Sequence, residues 1–170
     1  MMPSTDNSIA VANIRWMIRR DMPEVLGIEQ ANFEFPWQDE DFIKCLRQRN
    51  CIGLVLDDAP LPRRDGNYGR ILGFVIYELH KNRLHILNFA VHAAMHRRGV
   101  GRALVQKMIG KLSPLRRNRL MLEIRDSNLD AQCFFRAMGF KAVSVLRDFY
   151  EDTSDDGYLF QYQLPREGTA

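Results

Sequence analysis

Apolar and polar positions alternate where the ordered pattern begins. Ile14, Trp16 and Ile18 are set against Arg15 and Arg19, the period of two that predicts a half-buried strand. Asp21, with Glu24 three residues on, resembles a capping box opening a helix whose inward stripe is Val25, Ile28, Ala31 and Phe33. Phe35-Pro36-Trp37 breaks that helix, and residues 38–48 predict a second one with Phe42, Ile43 and Leu46 inward. A strand follows at 51–56. Residues 57–70, with three charges of each sign, two prolines and two glycines, predict a long solvated loop. Strands are expected at 71–79 and 83–91 with a turn near Lys81-Asn82. A helix is expected over 99–112 from the spacing of Val100, Leu104, Met108 and Leu112. A strand at 119–124 and a helix at 129–138 ending on Gly139 come next, the glycine being suited to a helix C-terminus. Strands at 140–150 and 157–164 close the order.

The order β α α β β β α β α β β mixes antiparallel neighbours with crossovers, and so predicts one mixed α/β (α+β) sheet. With 170 residues, 46% of them hydrophobic, the chain holds one sizeable core and no second domain of consequence. A single domain is therefore expected over 13–165, between a flexible arm at 1–12 and a short tail at 166–170. The first ten residues carry neither a basic nor an apolar signal region, and no apolar run reaches a membrane span. Cys45, Cys51 and Cys133 are odd in number and lack a CxxC pair, which predicts unpaired reduced thiols in a cytoplasmic protein and no zinc site. Cys133 is expected to be a buried, inert thiol. None of His80, His85, His92 and His96 stands in a metal-binding frame, so no metal is expected, and His85 on its alternating strand reads as structural.

The net charge of +3 conceals a segregation. From 95 to 120 there are eight basic residues and no acid; 29–41 and 148–156 each hold five acids and no base. The basic stretch suits a phosphate-bearing ligand and the acidic ones a cationic partner. No interleaved aromatics or nucleic-acid-binding signature accompany the basic residues, so no nucleic-acid partner is expected.

The most informative stretch is His85-Ile-Leu-Asn-Phe-Ala-Val91, then Arg97-Arg-Gly-Val-Gly-Arg-Ala103. An apolar strand runs into a loop and a helix starts on glycines. The first amides of a helix are unpaired and its N-terminus is partly positive, which favours an anion there. Gly99 and Gly101 permit close approach of backbone to phosphate. The spacing Arg98-x-x-Gly101-x-Ala103 after such a strand resembles motif A of the GNAT superfamily of acyl-CoA N-acyltransferases. Phe35-Pro36-Trp37, His85–Val91, Leu122-Glu-Ile-Arg-Asp-Ser-Asn128, Phe140 and Phe149-Tyr150 are similar to the bacterial RimI-type enzymes, which acetylate the N-terminal alanine of a ribosomal protein.

The resemblance spans 14–164 and carries further expectations. It implies a mostly antiparallel sheet of about seven strands with about four helices, splayed at the coenzyme site. It implies acetyl-CoA as co-substrate, held by Arg97, Arg98, Gly99, Val100, Gly101, Arg102 and Ala103, by the strand edge Phe89, Ala90 and Val91, and by Asn128. It implies Glu123 as general base and an acceptor groove lined by Phe35, Trp37 and Tyr150. The family's acidic tyrosine falls on Phe135, which has no proton to give; Tyr150 is the available auxiliary acid. The implied reaction is direct acetyl transfer, in a ternary complex, to the α-amine of a protein N-terminus. A small amine or polyamine is the alternative acceptor, and a catalytically weakened acyl-CoA-binding regulator the non-enzymatic alternative.

Overall fold

The computed structural model describes residues 13–64 and 66–166. The arm expected at 1–12 and the tail, apart from Arg166, lie outside the described residues. Seven strands form one sheet in the order β1-β2-β3-β4-β5-β7-β6. They are β1 (Ile14–Trp16), β2 (Cys51–Asp57), β3 (Ile71–Leu79), β4 (Arg83–Val91), β5 (Arg119–Arg125), β6 (Lys141–Leu146) and β7 (Gly157–Gln163). Four α-helices accompany them: α1 (Met22–Asn32), α2 (Asp39–Leu46), α3 (Val100–Ile109) and α4 (Leu129–Ala137). The mixed sheet and its helices are those expected from the element order.

Each face of the sheet buries its own core, as the period-two alternation requires. On one face Val75, Tyr77, Leu84, Leu104, Met108, Leu120 and Phe160 pack beneath α3 and α4. On the other, Val25, Ile28, Phe42, Val55, Phe74 and Ile76 pack beneath α1 and α2.

Several expected boundaries change. Asp21 does not cap α1: its carboxylate accepts from the Ile18 amide and from Arg15, while Glu24 accepts from the Ile71 amide. In place of the expected capping box there is a local cap on the turn before α1, through Asp21, and one tertiary contact, through Glu24. α1 ends at Asn32, leaving Ala31 exposed and Phe33 beyond the helix. α2 ends at Leu46, and Ile43 faces outward at 38% exposure while Phe42 and Leu46 take the expected inward positions. α3 ends at Ile109, and β6 ends at Leu146, so residues 147–156 form a loop and not the strand expected to 150.

Only β4 and β5 pair in parallel, over Arg83–His85 against Arg119–Met121. Beyond that point they separate. Ile76 pairs with Asn88 and Tyr77 with Ile86, so Leu87 is an extra residue in β4, a bulge. Bulges increase local twist and exchange the faces of the side chains that follow. Leu84 and Ile86 precede the bulge on the α3/α4 face; Phe89 and Val91 follow it onto that same face, while Leu87 and Ala90 face α1 and α2. The site sits at this divergence.

Candidate active site

At the end of β4 the chain makes a turn that sets up α3. Gly99 caps the helix with φ of 88°, a left-handed conformation that favours glycine. Arg97 also has a positive φ, 63°. The Ala103 amide closes the first bond, to the Gly99 carbonyl, which leaves the amides of Val100, Gly101 and Arg102 directed out of the helix start. Arg97, Arg98 and Arg102 are exposed, and no carboxylate pairs with them among the described residues. The amides and cations together suit a phosphate-bearing ligand. The side chains of Val100 and Ala103 are in the core, so these two residues can serve a ligand only through backbone. Gly101 has a second reason to be glycine: a Cβ there would lie 3.1 Å from Cζ of Phe134, a tight contact where α3 packs on α4.

The eight basic residues do not form one coenzyme face. A ten-residue α3 spans about 15 Å, which separates Arg97, Arg98 and Arg102 from Arg116, Arg117 and Arg119 beyond its other end. Arg117 there donates to the His80 carbonyl.

The strand edge is open only in part. The His92 amide bonds to Leu72 of β3, so alternation turns the Ala90 backbone toward β3 and those of Phe89 and Val91 toward the gap left by β5. The Val91 carbonyl already accepts from Asn32 Nδ2 at 3.1 Å and meets His96 Nε2 at 3.0 Å. The Phe89 groups and the Val91 amide remain for a ligand; Ala90 and the Val91 carbonyl do not. Asn128 caps α4 through Oδ1, which accepts from the Ala131 amide, leaving its amide nitrogen facing outward. Phe135 is 3% exposed, with ring centroids 5.5 Å from Phe89, 5.0 Å from Phe134 and 5.1 Å from Phe140. The position where the family resemblance puts an acidic hydroxyl is thus an all-apolar aromatic cluster. Cys133, expected to be buried, is exposed on α4.

On the other face of the divergence, Glu123 of β5 meets His85 of β4, Oε2 to Nε2 at 2.7 Å. Both are part-exposed, at 23% and 16%, so the carboxylate is held and still reachable. Reading His85 as merely structural missed this pairing. Two histidine-to-carboxylate residues 38 positions apart leave no local pattern, and only the parallel register of β4 and β5 brings them together.

Past Glu123 on the same face, Arg125 lies over the Tyr150 ring at 4.0 Å and over Phe35 at 5.5 Å. Phe35 is 45% exposed. Tyr150 is part-buried, and burial pushes its hydroxyl up to about 12; Arg125 opposes that shift, while Glu123 and Asp152 add to it. Trp37 turns inward instead: its ring meets Phe42 edge-on at 5.1 Å and packs in the α1/α2 core. It is therefore not on the groove lip with Phe35.

Half of the acids in the two acidic stretches are committed. Glu29 is buried and accepts from the Trp37 amide and from Asn88 Nδ2, both at 2.9 Å; burial raises its carboxyl above the usual range. It fixes the 35–37 loop to β4 just after the bulge. Asp41 accepts from the Gln38 amide, Asp152 and Asp155 pair with Arg125, and Asp156 accepts from the Asp148 amide and meets Arg147. Glu34, Asp39, Glu40, Asp148 and Glu151 stay exposed, so each stretch keeps part of an acidic rim.

Comparison with known proteins fits this geometry. The description of the Acetyltransferase (GNAT) family matches residues 22–140. A ribosomal protein bS18 alanine N-acetyltransferase of Escherichia coli is 27% identical over 133 residues, 78% of this chain and 83% of that protein. An uncharacterized N-acetyltransferase of Methanocaldococcus jannaschii is 30% identical over 144 residues, 84% and 86% of the two chains. The crystal structure of the Escherichia coli ribosomal-protein-S18-alanine N-acetyltransferase superposes with a TM-score of 0.72 at 24% identity, covering 92% of this chain and 97% of that one. Arabidopsis thaliana NAA60 in complex with a bisubstrate analogue superposes with a TM-score of 0.73 at 21% identity, covering 92% and 98%. A strand that splits from its parallel neighbour, a glycine turn at the split and a family match across both place the chain plainly: it belongs to the GNAT acetyltransferase family, and it is an acetyl-CoA-dependent N-acetyltransferase.

Proposed function

We propose that the acceptor is the N-terminal α-amine of a peptide or protein, and that Glu123 receives its proton. The observation that carries this reading is the His85–Glu123 pair, set at the β4/β5 split between the glycine turn and the Phe35–Tyr150 mouth. Sequence relatives that act on a ribosomal protein's alanine support the acceptor class. An α-amine, with a pKa of about 7.7–8.0, is roughly one-tenth neutral at pH 7, against fewer than about one lysine in a thousand. A carboxylate held by an imidazole suffices for such an amine.

Acetyl-CoA supplies the thioester carbonyl. The neutral amine attacks that carbon; its proton passes to Glu123 directly or through water. The C–N bond forms, the C–S bond breaks, and sulfur leaves with the electron pair. A thiol of pKa about 8.5 departs as thiolate and takes its proton afterwards from solvent. Tyr150, with its hydroxyl raised to about 12, is a weaker acid than that thiol, so donation from it is uphill. Its role in this reading is as a protonated hydrogen-bond donor and aromatic wall for the acceptor. His85 keeps the Glu123 carboxylate oriented.

The test is thiol release from acetyl-CoA over a panel of peptides that differ in their first residue, beside free polyamines. Turnover of peptides with a free α-amine, and its loss when that amine is blocked, is the expected result. Turnover of polyamines without turnover of any peptide sinks the reading.

A further inference from the structure

Glu123 and Arg125 lie two residues apart on one face of β5, yet only the first belongs to the chemistry proposed above. Arg125 is used otherwise. Its Nη1 and Nη2 donate to both carboxylate oxygens of Asp152, at 3.1 and 3.0 Å, in a fork. Nη1 also donates to Thr153 Oγ1 at 2.6 Å and to Asp155 at 3.3 Å. The face of the same guanidinium covers Tyr150 at 4.0 Å and reaches Phe35 at 5.5 Å. One planar cation thus ties together three elements: the 35–37 loop, the 147–156 loop and the strand that carries Glu123.

The loop it holds cannot be ordered by a core, for residues 148–155 contribute no buried side chain. Asp148 and Ser154 both adopt positive φ, 48° and 57°, at a cost that the loop's own bonds must offset. Those bonds are local: Tyr150 with Asp155, Ser154 with Tyr150, Asp148 with Asp156, and the Thr153 hydroxyl with Asp152 and with the Asp155 amide. The Tyr150 ring also lies against Gly157, where a Cβ would be 3.1 Å from Cε2. The ring therefore contacts both a glycine backbone and the Arg125 guanidinium.

We propose that Arg125 is a positioning residue that sets the width of the acceptor groove, by locking the Tyr150 loop and the Phe35 loop to the strand bearing Glu123. The proposal rests on the peptide-acceptor reading above. Lysine has the charge but neither the fork nor the plane, so it does not replace arginine here.

The experiment is steady-state kinetics of Arg125→Gln and Arg125→Lys with a peptide acceptor, alongside digestion by a glutamate-specific protease, which has an exposed target at Glu151. Both variants are expected to raise the acceptor KM about tenfold or more, the size of a lost charge-assisted contact, with acetyl-CoA affinity and thermal melting unchanged. Cleavage after Glu151 should quicken by about the same factor. Asp152→Asn, which removes one partner of the fork, should move both readouts in the same direction by less. Wild-type acceptor KM in Arg125→Lys means that charge alone serves, and overturns the proposal; so does an unchanged rate of cleavage in Arg125→Gln. If the wild type acetylates no peptide, the acceptor reading falls, and the cleavage rate still decides whether Arg125 orders the loop.

Discussion

His85 Nε2 and Glu123 Oε2 are 2.7 Å apart across the last step before β4 and β5 part, for His85 itself pairs with Met121 and Glu123 lies two residues further on. The contact spans a gap that backbone hydrogen bonds no longer close. It holds a carboxylate at the point where the strands split, with solvent still reaching it.

Removing the carboxylate should therefore affect chemistry and not coenzyme binding. Glu123→Gln is expected to lower kcat by about 10²–10⁴-fold, the range for a positioned proton acceptor, with acetyl-CoA affinity within about twofold of wild type. His85→Asn, which leaves Glu123 in place without its partner, should lose about tenfold, the cost of one charge-assisted hydrogen bond. Stopped-flow turnover and calorimetric titration of acetyl-CoA separate the two effects. Full turnover in Glu123→Gln removes it from the mechanism.

Tyr150 makes the opposite prediction. With its hydroxyl raised to about 12 by burial, it is protonated across the working range and is a poor acid toward a thiolate. Tyr150→Phe keeps the ring against Arg125 and Gly157, so kcat should fall by no more than about tenfold, the worth of one hydrogen bond. Tyr150→Ala removes the wall and should raise the acceptor KM further. The kcat profile should also show no alkaline limb from Tyr150 below pH 11. A loss of about 10²-fold or more in Tyr150→Phe would restore it as the acid.

How much of this was legible in the sequence differs by feature. The sheet, its helices and the glycine turn follow from local periodicity and from Gly99, and these the structure retains. What escaped depends on distant register. The His85–Glu123 pair, the Glu29–Asn88–Trp37 link and the Arg125 fork each join residues whose separation no short window spans. The Leu87 bulge has no glycine to announce it. Acidic and basic runs are only partly informative, because charge along the chain does not record pairing. Asp152 and Asp155 look like an open acidic rim until Arg125 is folded onto them.

The cysteines give a check of the same kind. Cys45 of α2 and Cys51 of β2 are free thiols, as expected, and their Sγ atoms share a hydrogen bond at 2.7 Å. Burial pushes both thiols above the ordinary range, so they stay protonated at neutral pH and react slowly. Cys133 is exposed on α4. Iodoacetamide at pH 7 should therefore alkylate Cys133 first, with Cys45 and Cys51 modified at least about tenfold more slowly until the chain is denatured. Peptide mass mapping over a time course reads this directly, and equal rates at all three positions contradict the packing of α2 on β2.

Asp57 offers the clearest test of stability. Its side chain is fully buried at the end of β2, where it accepts from Arg15 Nε at 2.8 Å, from both terminal nitrogens of Arg63 at 2.7 Å and from the Ala59 amide at 3.2 Å. Arg15 turns its own terminal nitrogens to Asp21, so the cluster ties β1, the start of α1 and the 58–70 loop together. Burial alone would push the Asp57 carboxyl up; the Arg63 and Arg15 bonds outweigh it and hold the group below the usual carboxylate range. A depressed carboxyl stabilises the fold above its unfolded pKa of about 3.9 and loses that contribution as pH falls through the lower folded value. Asp57→Asn leaves two guanidinium groups without their anion and should cost about 3 kcal/mol at pH 7, lowering Tm by roughly 6–12 °C. The gap between variant and wild type should narrow steadily as calorimetric scans are taken below pH 4. A gap that is as wide at pH 3 as at pH 7 shows that shape, and not charge, holds this corner.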